Sequence, residues 1–180
     1  MQRIEKWADV TIGYRTIDLI PETSRRQRET LAVRQLADAM ISPDAEIGHT
    51  PEGAPVLSDG RIISISHSIG HAAIALADSG RIGIDVETLR PQLQRVAPRV
   101  LSETELQVYG SSLESLLRAW TMKEAVYKAA GKAGLELASG IKLPENDTEN
   151  PIVEADGQAY TCRFLNINAD TLLCVARQTD

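Results

Sequence analysis

The chain has two cysteines in 180 residues, with no Cys-x-x-Cys spacing and no histidine close to either in sequence, which leaves little support for a zinc or redox centre. Cys162 and Cys174 both fall in apolar, strand-like runs and read as small buried hydrophobes. Long apolar runs are missing as well. No stretch approaches the ~18 residues of a membrane span, and the N-terminus, Met1-Gln2-Arg3-Ile4-Glu5-Lys6-Trp7, carries charge where a signal peptide needs an apolar segment. A soluble, cytoplasmic protein is the expectation. Nor is there a basic surplus: 19 Lys and Arg against 25 Asp and Glu give a net charge of −6, which argues against general nucleic-acid binding. The sequence contains neither Gly-x-x-x-x-Gly-Lys nor Gly-x-Gly-x-x-Gly, so neither a P-loop nor a dinucleotide-binding fold is indicated.

What is present suffices for a globular α+β protein, since 43% hydrophobic residues can bury one sizeable core or two small fused ones. Apolar residues at Leu31-Ala32, Leu36 and Ala39-Met40 predict a helix over roughly 23–41, and the Pro- and Gly-rich stretch from Ser42 to Gly60 predicts a loop. Residues 61–77 read as a hairpin around Gly70, with an alanine-rich second arm of low strand propensity, and Arg81 to Val86 as a further strand. Ser102-Glu103-Thr104-Glu105 matches a capping box and predicts a short helix through about Tyr109. A longer helix from about Leu113 to Ala130 carries Leu116, Leu117, Trp120 and Tyr127 and ends at Gly131. Strand-like runs at 140–143, 152–154, 160–165 and 172–176 follow. Helix, Gly/Pro-rich connector and hairpin thus occur twice, which predicts two similar halves, 1–80 and 81–180, with a ligand site in the cleft between them.

Three segments carry chemistry. In a strand, Asp85 and Glu87 point to the same side, leaving Ile84 and Val86 for the core, and two hard oxygen ligands at a strand end suit magnesium. Trp120, Glu124 and Lys128 recur at the helical i, i+4, i+8 spacing, which stacks an acid and a lysine on one face. Ser64, Ser66 and Ser68 share one strand side beside His67, and hydroxyls and an imidazole there can bond phosphate oxygens. Two basic clusters stand out against the acidic total: Arg25, Arg26 and Arg28, and the acid-free stretch Thr88 to Leu101 with Arg90, Arg95 and Arg99.

The joint order Ser66-His67-Ser68, Gly83-Ile84-Asp85-Val86-Glu87, and Trp120-Thr121-Met122-Lys123-Glu124-Ala125 with Lys128 and Gly131 resembles the Sfp-type 4′-phosphopantetheinyl transferases. These enzymes move the phosphopantetheine arm of coenzyme A onto a carrier-protein serine. The resemblance spans roughly residues 50–135. It implies a pseudo-dimer of two α/β halves. It further implies that Asp85, Glu87 and Glu124 hold magnesium, that Ser66, His67, Lys123 and Lys128 contact coenzyme A phosphates, and that Arg28 or Arg34 helps bind the 3′-phosphate. Glu124, or a water held by Glu87, is the implied base, and Lys128 the group that stabilises the leaving 3′,5′-ADP. The implied partner is an apo acyl or peptidyl carrier protein, of fatty acid biosynthesis or of secondary metabolism. Such carriers are acidic, so Arg90, Arg95, Val96, Arg99 and Val100 form a candidate dock if their stretch is helical, a condition Pro98 limits. With an internal site the protein is expected to be a monomer. One departure is plain: where the family commonly has Gly-Lys-Pro, this chain has Gly53-Ala54-Pro55. Two other readings use the same residues: a metal-dependent pyrophosphohydrolase, and a carrier-binding module that has lost transfer.

Overall fold

A computed structural model describes residues 1–146 and 148–179. The predicted hairpin forms from β5 (Ile62–Ser68) and β6 (His71–Ala77), and Gly70 in its turn takes φ 87°, a conformation suited to glycine. The alanine-rich arm succeeds because β6 is an inner strand. It pairs with β5 on one side and with β2 (Val10–Thr16) on the other, and all of its residues are buried. Fit between two packed faces outweighs alanine's weak strand propensity. β1 (Gln2–Trp7) completes a sheet ordered β1-β2-β6-β5.

The β1–β2 hairpin is an element that periodicity does not predict. Trp7 pairs directly with Val10, so the turn is Ala8-Asp9, and Ala8 adopts φ 52° without the glycine or asparagine that signals such turns. Helix α1 (Arg25–Met40) starts at a capping box in which Ser24 and Gln27 bond reciprocally, close to the predicted boundary. The predicted loop over 42–60 contains a small hairpin, β3 (Ile47–His49) with β4 (Pro55–Leu57).

The second sheet is ordered β7-β11-β10-β9-β8, from β7 (Ile82–Thr88), β8 (Ile141–Lys142), β9 (Ile152–Ala155), β10 (Gln158–Asn168) and β11 (Thr171–Gln178). Helix α2 (Gln92–Val100) does form, with Pro98 inside its last turn. Helices α3 (Glu103–Tyr109) and α4 (Leu113–Ala130) match expectation, with Gly131 in the left-handed region at φ 60°; the short α5 (Leu137–Gly140) follows. Tyr127, read as part of the apolar stripe of α4, is 36% exposed, whereas the buried face is built on Leu116, Leu117, Met122, Ala125 and Val126.

The layers run α1, first sheet, second sheet, α4. Between the sheets lie Val10, Ile12, Ala73 and Ala75 with Ile82, Ile84, Val86, Leu173 and Val175. Leu36 and Ala37 of α1 cover Ile63, Ile74 and Leu76, while α4 covers the far side of the second sheet. One order recurs: strand, helix, small hairpin, larger hairpin, as β2, α1, β3–β4, β5–β6 and as β7, α4, β8–β9, β10–β11. The strand orders β2-β6-β5 and β7-β11-β10 correspond in the same way.

Candidate active site

Alternation along β7 sends Ile82, Ile84 and Val86 into the core between the sheets and leaves Gly83, Asp85 and Glu87 for the face toward α4. Gly83 sets how near that helix comes. A Cβ there would lie 1.9 Å from the Ala125 carbonyl oxygen and 2.6 Å from the Ala129 nitrogen, so only glycine permits this approach. At that separation Lys128 Nζ donates to the Ile84 carbonyl (2.9 Å) and to Asp85 Oδ1 (2.8 Å). The helical stack of Glu124 and Lys128 thereby meets the strand pair Asp85 and Glu87.

The open edge of β7 is closed by hydroxyls instead of another strand. The Ile84 N–H donates to Ser64 Oγ (3.0 Å) and the Val86 N–H to Ser66 Oγ (3.2 Å), while the Ser66 hydroxyl donates to Asp85 Oδ1 (2.9 Å). The serine comb on β5 is thus a seam between the two sheets, and Ser66 orients Asp85. Glu87 is held on both oxygens: the Thr88 N–H donates to Oε1 (2.8 Å) and Arg90 to Oε2 (2.7 Å).

Glu124 accepts no hydrogen bond among the described residues. Burial chiefly pushes its carboxyl above the ordinary carboxylate range, aided by the negative charges of Asp85 and Glu87 and opposed by Lys128. Glu87 is likewise raised, first by burial, against the lowering effect of the Thr88 amide and Arg90. Cys174 stands directly opposite Asp85 on β11, and burial, with its neighbour Cys162, pushes its thiol well above the ordinary value, so it stays protonated and inert.

Three carboxylates that feel one another are a hard-oxygen donor set of the kind magnesium takes, and the uncommitted Glu124 fits that chemistry. As they stand, no three His, Cys, Asp or Glu side chains among the described residues converge closely enough to hold a metal ion; Asp85 and Glu87 are engaged by Lys128 and Arg90.

Other candidates scatter. Lys123 lies away from this cluster: fully buried, its ammonium donates to Glu105 Oε2 (2.7 Å) and to the carbonyls of Leu137 (2.7 Å) and Ile141 (2.8 Å), tying α4 to α3 and β8. Glu105, predicted only as a helix cap, also accepts the Leu143 N–H (2.9 Å). His67 is exposed, with Nδ1 3.6 Å from Glu29 Oε2. Arg28 is committed to the Thr23 carbonyl, and Arg34 is exposed on α1. Two further residues of α1 reach the neighbourhood, Arg25 of the basic cluster and Glu29, which the sequence did not single out. Arg25 favours ionisation of Glu87, and Glu29 bridges Arg25 (2.6 Å) and His67. On α2, Arg95 and Arg99 are exposed and Val96 is half-buried, but Val100 belongs to the core and is not available to a partner. Two concavities, of about 370 and 160 Å³, lie elsewhere, the larger beside Glu105 and Lys142 and the smaller beside Leu89 and Thr171.

The profile of the 4′-phosphopantetheinyl transferase superfamily matches residues 81–176, more than half of the chain, and that span contains β7 and α4 with the whole carboxylate cluster. The chain belongs to the 4′-phosphopantetheinyl transferase superfamily. Among its relatives in that superfamily, the 4′-phosphopantetheinyl transferase AcpT of Salmonella typhimurium is 32% identical over 123 residues, 63% of this chain and 64% of the relative. AcpT of Escherichia coli K12 is 32% identical over 128 residues, 66% and 65% of the two chains. The 4′-phosphopantetheinyl transferase HetI of Nostoc is 33% identical over 109 residues, 54% of this chain and 46% of the relative. The chain therefore matches less than two thirds of the length of these superfamily members.

Proposed function

We propose that this protein transfers the 4′-phosphopantetheine moiety of coenzyme A to a serine of an apo acyl or peptidyl carrier protein, giving holo-carrier protein and 3′,5′-ADP. The observation that supports the reading most is the meeting of Asp85, Glu87, Glu124 and Lys128 where β7 packs on α4, in a chain whose relatives bear the transferase name. Recurrence of the strand and helix order supports reading the fold as a pseudo-dimer divided at residues 80 and 81, with the site at the β5–β7 seam.

Asp85, Glu87 and Glu124 would hold magnesium, which supplies charge neutralisation at the pyrophosphate when bound. Ser66 keeps Asp85 in place. Lys128, whose ammonium already faces a carboxylate oxygen, would donate to the departing phosphate. Glu124, which accepts no hydrogen bond from the described residues, or a water held by Glu87, would take the proton of the attacking serine hydroxyl. His67 is exposed for a phosphate contact, and Arg34 is freer than Arg28 to meet the 3′-phosphate. Lys123 takes no part in this step, because its ammonium is engaged by Glu105 and two carbonyls.

Incubation with coenzyme A, magnesium and a panel of apo carrier proteins, read by intact-protein mass spectrometry, tests the proposal. A phosphopantetheine mass gain on a carrier is expected, lost in Glu124→Ala and Lys128→Ala. Release of 3′,5′-ADP from coenzyme A with no carrier present would replace transfer by hydrolysis. No gain on any carrier, with a carrier protein still bound, would leave a carrier-binding module.

A further inference from the structure

We propose that Arg90 is an exchangeable internal counter-ion of Glu87, which weakens divalent-cation binding at the carboxylate cluster until the arginine is released. The inference rests on the metal-holding role given above to Asp85, Glu87 and Glu124. Glu87 Oε1 already accepts the Thr88 N–H at 2.8 Å, and Arg90 Nη2 occupies Oε2 at 2.7 Å. A cation arriving at Glu87 therefore meets a positive guanidinium on the second oxygen and an amide N–H on the first, and the guanidinium charge opposes it until the arginine leaves.

Its departure is easy, because Arg90 is held by a weak version of its usual pairing. Arginine binds carboxylates best with two parallel N–H donors. Here one terminal nitrogen makes the contact, while Nε is buried with no partner, a cost that persists for as long as the side chain stays where it is. The Arg90 side chain is 40% exposed against 11% for Glu87, so water is open to the arginine and closed to the acid. Lys128 differs in kind. Its ammonium is fixed by the Ile84 carbonyl as well as by Asp85, and it is carried by a packed helix.

Release has a consequence for the neighbouring surface. Arg90 precedes α2 by two positions, and that helix presents Arg95 and Arg99 to solvent. An arginine freed from Glu87 adds its charge next to that face, so by linkage an acidic group that captures Arg90 strengthens cation binding by the same factor.

Calorimetric titration of magnesium into the ligand-free protein at pH 8 tests this without any turnover. Arg90→Gln and Arg90→Met are each expected to bind magnesium about two- to fivefold tighter than the unaltered protein, the scale of a part-exposed ion pair. Arg90→Lys, which keeps a charge, is expected to stay near the unaltered affinity. Metal-free thermal melting confirms that each variant is folded. Equal or weaker binding in both neutral variants overturns the proposal, since Arg90 would then support Glu87 as a ligand rather than compete for it. A Glu124→Gln control separates the two readings: if it binds magnesium as well as the unaltered protein, the assignment of the carboxylate cluster fails, whatever Arg90 does.

Discussion

A half-buried carboxylate without a hydrogen bond, such as Glu124, is costly to ionise, and this makes the cluster a source of pH-dependent stability. For Glu87 and Glu124 the folded-state pKa lies above the ordinary 4.5 of the unfolded chain. Their contribution is thus fully present below pH 4.5 and is lost as pH rises through the folded values, where the native state holds protons the unfolded state has released. Glutamine mimics the protonated acid. Glu124→Gln is therefore expected to gain stability relative to the unaltered protein as pH climbs from 4.5 toward neutrality, with chelator present; urea unfolding at several pH values measures the difference, and a flat difference refutes it. At this scale the sequence was legible in kind but not always in direction. The i, i+4 rule placed Glu124 and Lys128 on one face correctly. Lys123 is one residue from Glu124 and chemically identical to Lys128, yet a step of about 100° around the helix turns it into the interior. Its partner there, Glu105, is a cap residue whose second role no local spacing reveals.

Between elements, the decisive contact is β7 on α4, and Gly83 governs it. The alternation that pairs Asp85 with Glu87 also puts Gly83 on the same side, where its missing side chain lets the helix backbone come close. Gly83→Ala is expected to cost about 1–3 kcal/mol of stability, the range for overpacking a close contact. It should lower transfer by more than the unfolded fraction explains, because Lys128 is drawn away from Asp85. Gly48→Ala is the matching control, since a Cβ there meets Val56 at an ordinary 3.4 Å; it should be nearly neutral in denaturant unfolding and in the mass assay. Elements with local signals were readable this way: the apolar period through Leu31, Leu36 and Met40, the capping box at Ser102 and the left-handed Gly131 placed three helices close to where they occur. The β1–β2 hairpin was not, because its turn uses Ala8 at a positive φ and its first strand is a mostly exposed edge. What stabilises it lies far along the chain: β2 pairs with β6 and buries Val10 and Ile12 between the sheets, and Arg177 of β11 pairs with Asp9 in the turn.

Over the whole molecule, the net charge of −6 opposes any acidic partner, so the proposed docking of an acidic carrier would depend on how charge is distributed rather than on its sum. The acid-free stretch that becomes α2 supplies the local reversal. Folding has sorted its residues, burying Leu93, Ala97 and Val100 and exposing Arg95 and Arg99. Of the two valines predicted to join the dock, Val100 is core and Val96 half-buried, which leaves Arg95 and Arg99 as the exposed members of the proposed dock. Steering by exposed charge acts on encounter and on carrier affinity, not on the coenzyme A pocket. Arg95→Glu with Arg99→Glu is therefore expected to raise the KM for carrier protein by about tenfold or more. The KM for coenzyme A and the melting temperature should stay close to those of the unaltered protein, since neither side chain packs in the core. Raising the salt concentration should weaken carrier use by the unaltered protein more steeply than by the double variant, because the screened attraction is present only in the former. An unchanged carrier KM in the double variant would move the dock off α2 altogether.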